Sequence, residues 1–442
     1  MRPFTPCSSR IDGAIVARAL YTLLYYLALP LILLRIWWRG RRAPAYRQRI
    51  SERLGCAPTL ATEGRPIWVH AVSVGETVAI APLIERLLAR YPQHPILVTT
   101  MTPTGAERVQ ALFGARVQHR YCPWDLPDAW WRFHRRVNPA LCIIVETELW
   151  PNMLAACAAR NVPVVLANAR LSARSARGYA RIARLVRPML GRLTQVAAQS
   201  RADGERFIEL GLARDQLHVT GSIKFDLCPD PNQIEAGRQL RVQLGETRPV
   251  LIAASTHEGE DELLLRCWQQ LALKWPGLVL MLVPRHPERF AAVRTLAQGY
   301  SDAVCSRREA DPVSTDTEIY IGDTMGELML MYAAADVAFV GGSFSGTGGH
   351  NPLEPAALGK PVVVGPDTFN FAEITRALSD AGGLRQVQDE SGLVRILAEL
   401  IGSASARQRA GEAGRRYLLA SQGALERLER LVAQQLLSAV SD

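Results

Sequence analysis

The sequence predicts an α/β chain of two Rossmann-like halves behind a short apolar N-terminal segment. Three observations carry that expectation. Apolar runs of strand length alternate with amphipathic runs of helix length after Pro66, and the alternation starts afresh at Val250. The polar stretch Cys228-Pro229-Asp230-Pro231-Asn232 separates the two series and reads as a hinge. With 442 residues and 48% hydrophobic content, the chain can bury two cores. Alternation at this spacing argues for parallel βαβ units.

In the first series the expected strands are Ile67–His70, Ile96–Thr99, Cys142–Val145, Val164–Ala167, Gln195–Ala198 and Leu217–Thr220, with helices over Ala79–Tyr91 and Trp150–Arg160. In the second they are Val250–Ala254, Val279–Val283, Ile319–Ile321, Val337–Val340 and Val362–Val364, with a helix over Gly326–Ala335. The segment from Ala404 onward reads as long helix. The two halves are expected to face each other across a cleft, with ligands beyond the carboxyl ends of the strands.

Ala19–Leu34 is uncharged for 16 residues and flanked by Arg18 and Arg35. Tyr21, Tyr25, Tyr26, Trp37 and Trp38 are amphipathic aromatics of the kind that settle at a membrane interface. No small-residue cleavage site follows, so the run reads as a retained anchor. It falls short of the roughly 20 residues that a spanning helix needs, which leaves both a spanning and an interfacial placement open. Arg35, Arg39, Arg41, Arg42, Arg47 and Arg49 follow it and place the rest of the chain on the cytoplasmic side. The expected domains are thus an anchor over 1–43, an N-terminal half over 44–228 and a C-terminal half over 229–442. The last helix is a candidate to pack back on the N-terminal half.

Lys and Arg outnumber Asp and Glu by 51 to 42, giving a net charge of +9. That balance fits nucleic acid, an anionic membrane or a phosphorylated substrate. Between Leu149 and Ala202 there are nine arginines and no acid. Arg174, Arg177, Arg181 and Arg184 would form one stripe on a helix, and aromatics there are too few to stack nucleobases. Anionic lipid or a phosphorylated acceptor fits that stripe better. The eight cysteines show neither zinc-ligand nor disulfide spacing, and Cys142 and Cys267 read as reduced core residues.

The chemistry-bearing residues follow strands. After Phe339-Val340 comes the glycine-rich loop Gly341–Gly349, then His350-Asn351-Pro352-Leu353-Glu354. Glycines let backbone approach a ligand, helix N-termini favour anions, and a carboxylate one turn on can bind sugar hydroxyls. Phosphate and sugar together suggest an activated-sugar donor; an ordinary strand–loop–helix corner is the other reading. Glu76 follows His70-Ala71-Val72-Ser73-Val74-Gly75 at a helix start, where it serves either as a general base held ionised by the helix dipole or as a simple complement to that dipole. Glu146 and Glu148 follow a buried strand, as cleft residues or as a capping pair. Lys224 can neutralise a donor carboxylate or phosphate. Arg285 can fork a phosphate, whereas His286 between prolines reads as a base or a structural residue. Asp323-Thr324-Met325-Gly326-Glu327 offers backbone amides to a nucleotide. No Ser–His–Asp, H-E-x-x-H or P-loop signature is present.

Taken together, "HAVSVGE", "ETELWPN", "GSIKFD", "VPRHPER", "GDTMGEL" and "GGSFSGTGGHNPLEPAALGKPVV", in this order, resemble the Kdo transferases, membrane-associated enzymes that add 3-deoxy-D-manno-octulosonic acid (Kdo) to the lipid A precursor. The resemblance runs from about Tyr46 to the C-terminus. It implies a GT-B glycosyltransferase fold of two Rossmann-like domains, and an inverting transfer from CMP-Kdo without cofactor or metal. It implies Glu76 as general base, with Glu146 and Lys224 as stabilisers of the transition state. It implies a CMP site of Pro284, Arg285, Met325, Gly326, Glu327, Asn351, Pro352, Leu353 and Glu354. The partners it implies are CMP-Kdo, a lipid A precursor and the anionic inner-membrane surface, not nucleic acid; oligomeric state stays open. A related GT-B enzyme using a UDP-sugar and a non-catalytic, anchored nucleotide-sugar-binding protein are the alternatives.

Overall fold

The structure, a computed structural model, describes residues 9–59, 64–309 and 313–441, so the first eight residues of the expected anchor lie outside it. The chain forms two compact units: Met1–Asp226 with Gln422–Asp442, and Leu227–Ser421.

The first unit holds strands β1 (Ile67–His70), β2 (Ile96–Thr100), β3 (Gln118–Tyr121), β4 (Leu141–Val145), β5 (Val164–Ala169), β6 (Gln195–Ala198) and β7 (Leu217–Val219). They form one sheet in the order β3-β2-β1-β4-β5-β6-β7, and every pairing is parallel. The order reverses between β1 and β4, where the following loops part to opposite faces and leave a crevice. Successive residues of the central strands serve opposite faces. Ile67, Val69, Leu141 and Ile143 join one core, while Trp68, Cys142 and Ile144 join the other.

The first of these cores is closed by the helix Ala424–Ser441, through Leu425, Leu428, Val432 and Leu436. Asp226 caps that helix, its carboxylate accepting the amides of Gly423 at 2.5 Å and Leu425 at 2.6 Å. The long segment expected from Ala404 is broken before it: Ala404–Ser421 is a separate helix, and Gly423 turns at a φ of 92°.

The helix Ser9–Arg42 lies along the first unit. Tyr25, Leu29, Ile32 and Ile36 pack on Trp124, Leu126 and Ala129. The Asn152 amide donates to the Thr22 hydroxyl at 3.0 Å, and the Tyr26 hydroxyl donates to Asp128 at 2.6 Å. Leu20, Leu24, Leu27, Leu31 and Leu34 are exposed. Residues Gly13–Arg42 are long and apolar enough to cross a bilayer by length and composition.

The second unit holds β8 (Val250–Thr256), β9 (Val279–Pro284), β10 (Val304–Ser306), β11 (Ile319–Ile321), β12 (Val337–Val340), β13 (Val362–Val364) and β14 (Leu384–Gln386). Its sheet runs β10-β11-β9-β8-β12-β13-β14, again parallel, with the reversal between β8 and β12. Cys142 and Cys267 are buried free thiols, as the sequence suggests.

One interaction fixes the second crevice. Glu260 opens the helix Glu260–Ala272 and is 1% exposed. Its carboxylate accepts the amides of His257 at 2.9 Å, Gly342 at 2.7 Å, Ser343 at 2.9 Å and Phe344 at 2.8 Å. The start of the glycine-rich loop therefore spends its amides on an internal carboxylate. Removing the acceptor strands four donors, and a buried unpaired polar group costs about 1–3 kcal/mol. Glu260→Ala should lower the melting temperature markedly, with Glu260→Gln, which keeps one acceptor oxygen, in between. Melting curves for the three proteins test this; coincident curves would mean that the loop holds itself.

Candidate active site

In the first unit the site is built on the ends of β1 and β4. His70 closes β1 fully buried, its Nδ1 2.9 Å from the Thr99 hydroxyl; burial pushes its pKa down to about 4, so it stays neutral. Ser73 caps the helix Val74–Arg90. Its hydroxyl accepts the Glu76 amide at 3.3 Å and donates to Glu76 Oε1 at 2.9 Å, while the Val72 amide donates to Oε2 at 2.7 Å. This is a close relative of the capping box, and it locks the carboxylate in one orientation.

Burial raises the Glu76 carboxyl to about 7; the hydrogen bonds from Val72 and Ser73 oppose the rise, and the nearby Glu146 and Glu148 add to it. The helix dipole therefore does not keep this group at an ordinary carboxylate pKa, as the sequence suggested it would. Desolvation wins because the side chain is only 9% exposed. A carboxyl poised near neutrality is suited to take a proton from a hydroxyl.

Glu146 follows β4 in the left-handed region, with a φ of 61°, a conformation uncommon for residues other than glycine. Its amide donates to Ala167 O at 2.9 Å, and its carboxylate meets Lys224 Nζ at 3.2 Å. Lys224 sits on the short turn Ile223–Phe225, capped by Ser222 and tied to Asn168 Oδ1 through the Ile223 amide at 3.2 Å. Glu148 is raised by burial and by Glu146. The turn gives the two carboxylates different neighbours, yet both influence Glu76.

In the second unit a pocket of about 310 Å³ lies at the ends of β8, β9 and β12, within the usual range for small ligands. Of the nine residues expected at a nucleotide, Pro284, Arg285, Met325, Gly326, Asn351 and Glu354 line it. Asn351 donates to Glu354 at 3.2 Å, and burial raises the Glu354 carboxyl against the pull of Asn351 and Arg285. Glu327, Pro352 and Leu353 are not among the lining residues. The Glu327 carboxylate is engaged by Arg307 at 2.8 and 3.1 Å and by Thr324 at 2.5 Å, while Leu353 is wholly buried.

Ser255 and His350 also line the pocket and were not singled out from the sequence. His350 stacks on His257 with ring centroids 5.1 Å apart, and their Nε2 atoms are 2.8 Å apart. One ring must donate and the other accept. Burial, with His257, Arg285 and His286 adding, pushes His350 down to about 4. His286 stands edge-on to His257 at 5.2 Å. The adjacency of His350 to Asn351 was the one signal available for it.

The arginine stripe is interrupted. Arg174, Arg177 and Arg181 lie on the helix Ala173–Arg181, which ends at Ile182, and Arg184 belongs to the next helix, Ala183–Leu190. All four are exposed, but they do not share a helix face as expected.

The raised Glu76 carboxyl has a sign that can be checked. Its folded pKa exceeds the ordinary value of 4.5, so its contribution to stability is complete below 4.5 and is lost as the pH rises through about 7. Glu76→Gln, uncharged throughout, should gain melting temperature relative to wild type between about pH 5 and about pH 8. A difference that stays constant with pH would show an unshifted carboxyl.

Residues 48–227 match the family model described as 3-deoxy-D-manno-octulosonic-acid transferase (kdotransferase). The chain is 44% identical over 418 residues to the 3-deoxy-D-manno-octulosonic acid transferase of Haemophilus influenzae, covering 93% of this chain and 97% of that protein. It is 38% identical over 425 residues to the enzyme of the same name from Bordetella pertussis, covering 93% and 98%. Among solved structures, the UDP-GlcNAc 2-epimerase of Neisseria meningitidis superposes with a TM-score of 0.54 at 13% identity, over 85% of this chain and 100% of that one. That likeness is one of fold, and the fold is GT-B, with two parallel seven-stranded α/β units. With relatives this similar over nearly their whole length, the chain belongs to the 3-deoxy-D-manno-octulosonic acid transferase family of glycosyltransferases.

Proposed function

We propose that this chain moves Kdo from CMP-Kdo to a hydroxyl of a lipid A precursor, with inversion at the anomeric carbon, as a step of lipopolysaccharide biosynthesis. The observation that carries the reading is Glu76: a carboxylate fixed by Ser73 and Val72 at a strand end, poised near pH 7 and grouped with Glu146 and Lys224. Glu76 takes the proton of the acceptor hydroxyl as that oxygen attacks the anomeric carbon. Glu146 offsets positive charge developing on the sugar, and Lys224 holds Glu146 in place and meets the donor's carboxylate. In the second unit Arg285 receives the phosphate that leaves as CMP, and Asn351 and Glu354 receive the nucleoside.

The same reading places the enzyme on the cytoplasmic face of the inner membrane. The N-terminal helix is held to the first unit from Thr22 to Ile36, which leaves no free run of about 20 residues to cross a bilayer. It lies in the interface, with Leu20, Leu24, Leu27 and Leu31 toward the acyl chains and the arginines after Leu34 at the headgroups.

Incubating the purified protein with CMP-Kdo and lipid A precursor and weighing the lipid tests the reading directly: the product should gain the mass of one or more Kdo units. Glu76→Gln should fold and lose about 10²–10⁴-fold of turnover; turnover near wild type at saturating substrates would remove Glu76 from the role of base. Arg285→Ala should weaken CMP binding by about 10-fold or more, the loss of a charge-assisted contact. Calorimetry with CMP reads this, and unchanged affinity would move the phosphate elsewhere.

A further inference from the structure

Two grooves flank the N-terminal helix within the first unit. The larger, about 610 Å³, runs beside Ile15, Leu23, Trp131 and Ala156 and ends at Arg160. The smaller, about 540 Å³, runs beside Pro151, Leu185 and Arg192. Arg18 lines both.

No carboxylate answers the charges here among the described residues. Neither the Arg18 nor the Arg160 guanidinium has a carboxylate or hydrogen-bond partner among the described residues. Arg192 donates to Pro188 O at 3.0 Å, and burial together with the neighbouring Arg18 holds its guanidinium below the usual arginine range. Arg18 and Arg192 line the same groove beside apolar walls, and like charges so placed favour an anion between them. His134 lines the larger groove at 2% exposure, and its Nδ1 is buried without a partner.

We propose that these grooves seat one anionic phospholipid of the bilayer, its phosphate between Arg18 and Arg192 and an acyl chain against Ile15, Leu23 and Trp131. The inference rests on reading the N-terminal helix as lying in the membrane interface. That helix carries both the exposed leucine edge and Arg18, so grooves at its flank meet the leaflet where headgroup and chain join. The larger groove follows the helix Pro151–Ala158 from Asn152 to Arg160, away from the strand end that carries Glu146. A lipid so held is a structural tie between anchor and unit, not the acceptor.

The test uses the full chain in detergent, without donor or acceptor, so that it does not depend on whether Kdo is transferred. Native mass spectrometry with added phosphatidylglycerol should show one retained lipid, with phosphatidylcholine retained much less. Arg18→Gln with Arg192→Gln should bind phosphatidylglycerol about tenfold more weakly, and Ala156→Trp, which fills the larger groove, should lose it. Arg160→Gln, at an exposed residue, should weaken it less and serves if the double variant misfolds. Equal retention of the two lipids, or wild-type retention in the variants, overturns the proposal. A one-to-one complex with lipid A precursor but not phosphatidylglycerol, lost in the same variants, overturns it in favour of the acceptor.

Discussion

The second unit depends on Glu260. Four amides from two loops converge on one buried carboxylate, an arrangement that elsewhere would hold a phosphate. Here the anion is part of the chain. It ties the end of β8 to the end of β12 and brings their backbones so close that a Cβ on Gly341 would stand 2.6 Å from Ser255 O. With that corner fixed, His350, Asn351 and Glu354 can form a pocket wall. On the proposed reading the ligand's own charge is left to Arg285, so the anion that builds the fold is separate from the anion the fold receives.

Much of this was legible in the sequence because central strands of a parallel sheet are buried on both faces and read as apolar runs. β1, β6, β11, β12 and β13 begin and end where those runs do. The edge strands β3, β10 and β14 were missed: Gln118-His119-Arg120-Tyr121 and Leu384-Arg385-Gln386 carry polar residues that an edge tolerates and a pattern search discards. The break at Ile182 left no glycine or proline to mark it. The sequence around Glu260 carries no sign of its role, since three of its four partners lie more than 80 residues away.

Three of the six non-glycine residues at positive φ among the described residues stand beside the two candidate sites. Glu146, Asn168 and Ser255 all adopt positive φ, at 61°, 53° and 57°, and all lie at or beside the carboxyl ends of strands. Such residues persist only where their surroundings hold them. Asn168 is held through the Ile223 amide, and that bond in turn places Lys224 against Glu146. Burial then sets the electrostatics: it raises the Glu76 carboxyl to about 7, and the neighbouring Glu146 and Glu148 add to the rise.

The helix Ala424–Ser441 has a consequence for synthesis. Its leucines cover a core that β1 and β4 form several hundred residues earlier. All of Leu227–Ser421 must leave the ribosome in between. At about 5–20 residues per second that takes tens of seconds, during which the part of that core under this helix stays open to water and to other chains. The unit made first is therefore completed last, and a nascent chain of this protein needs shielding for longer than its domain order suggests.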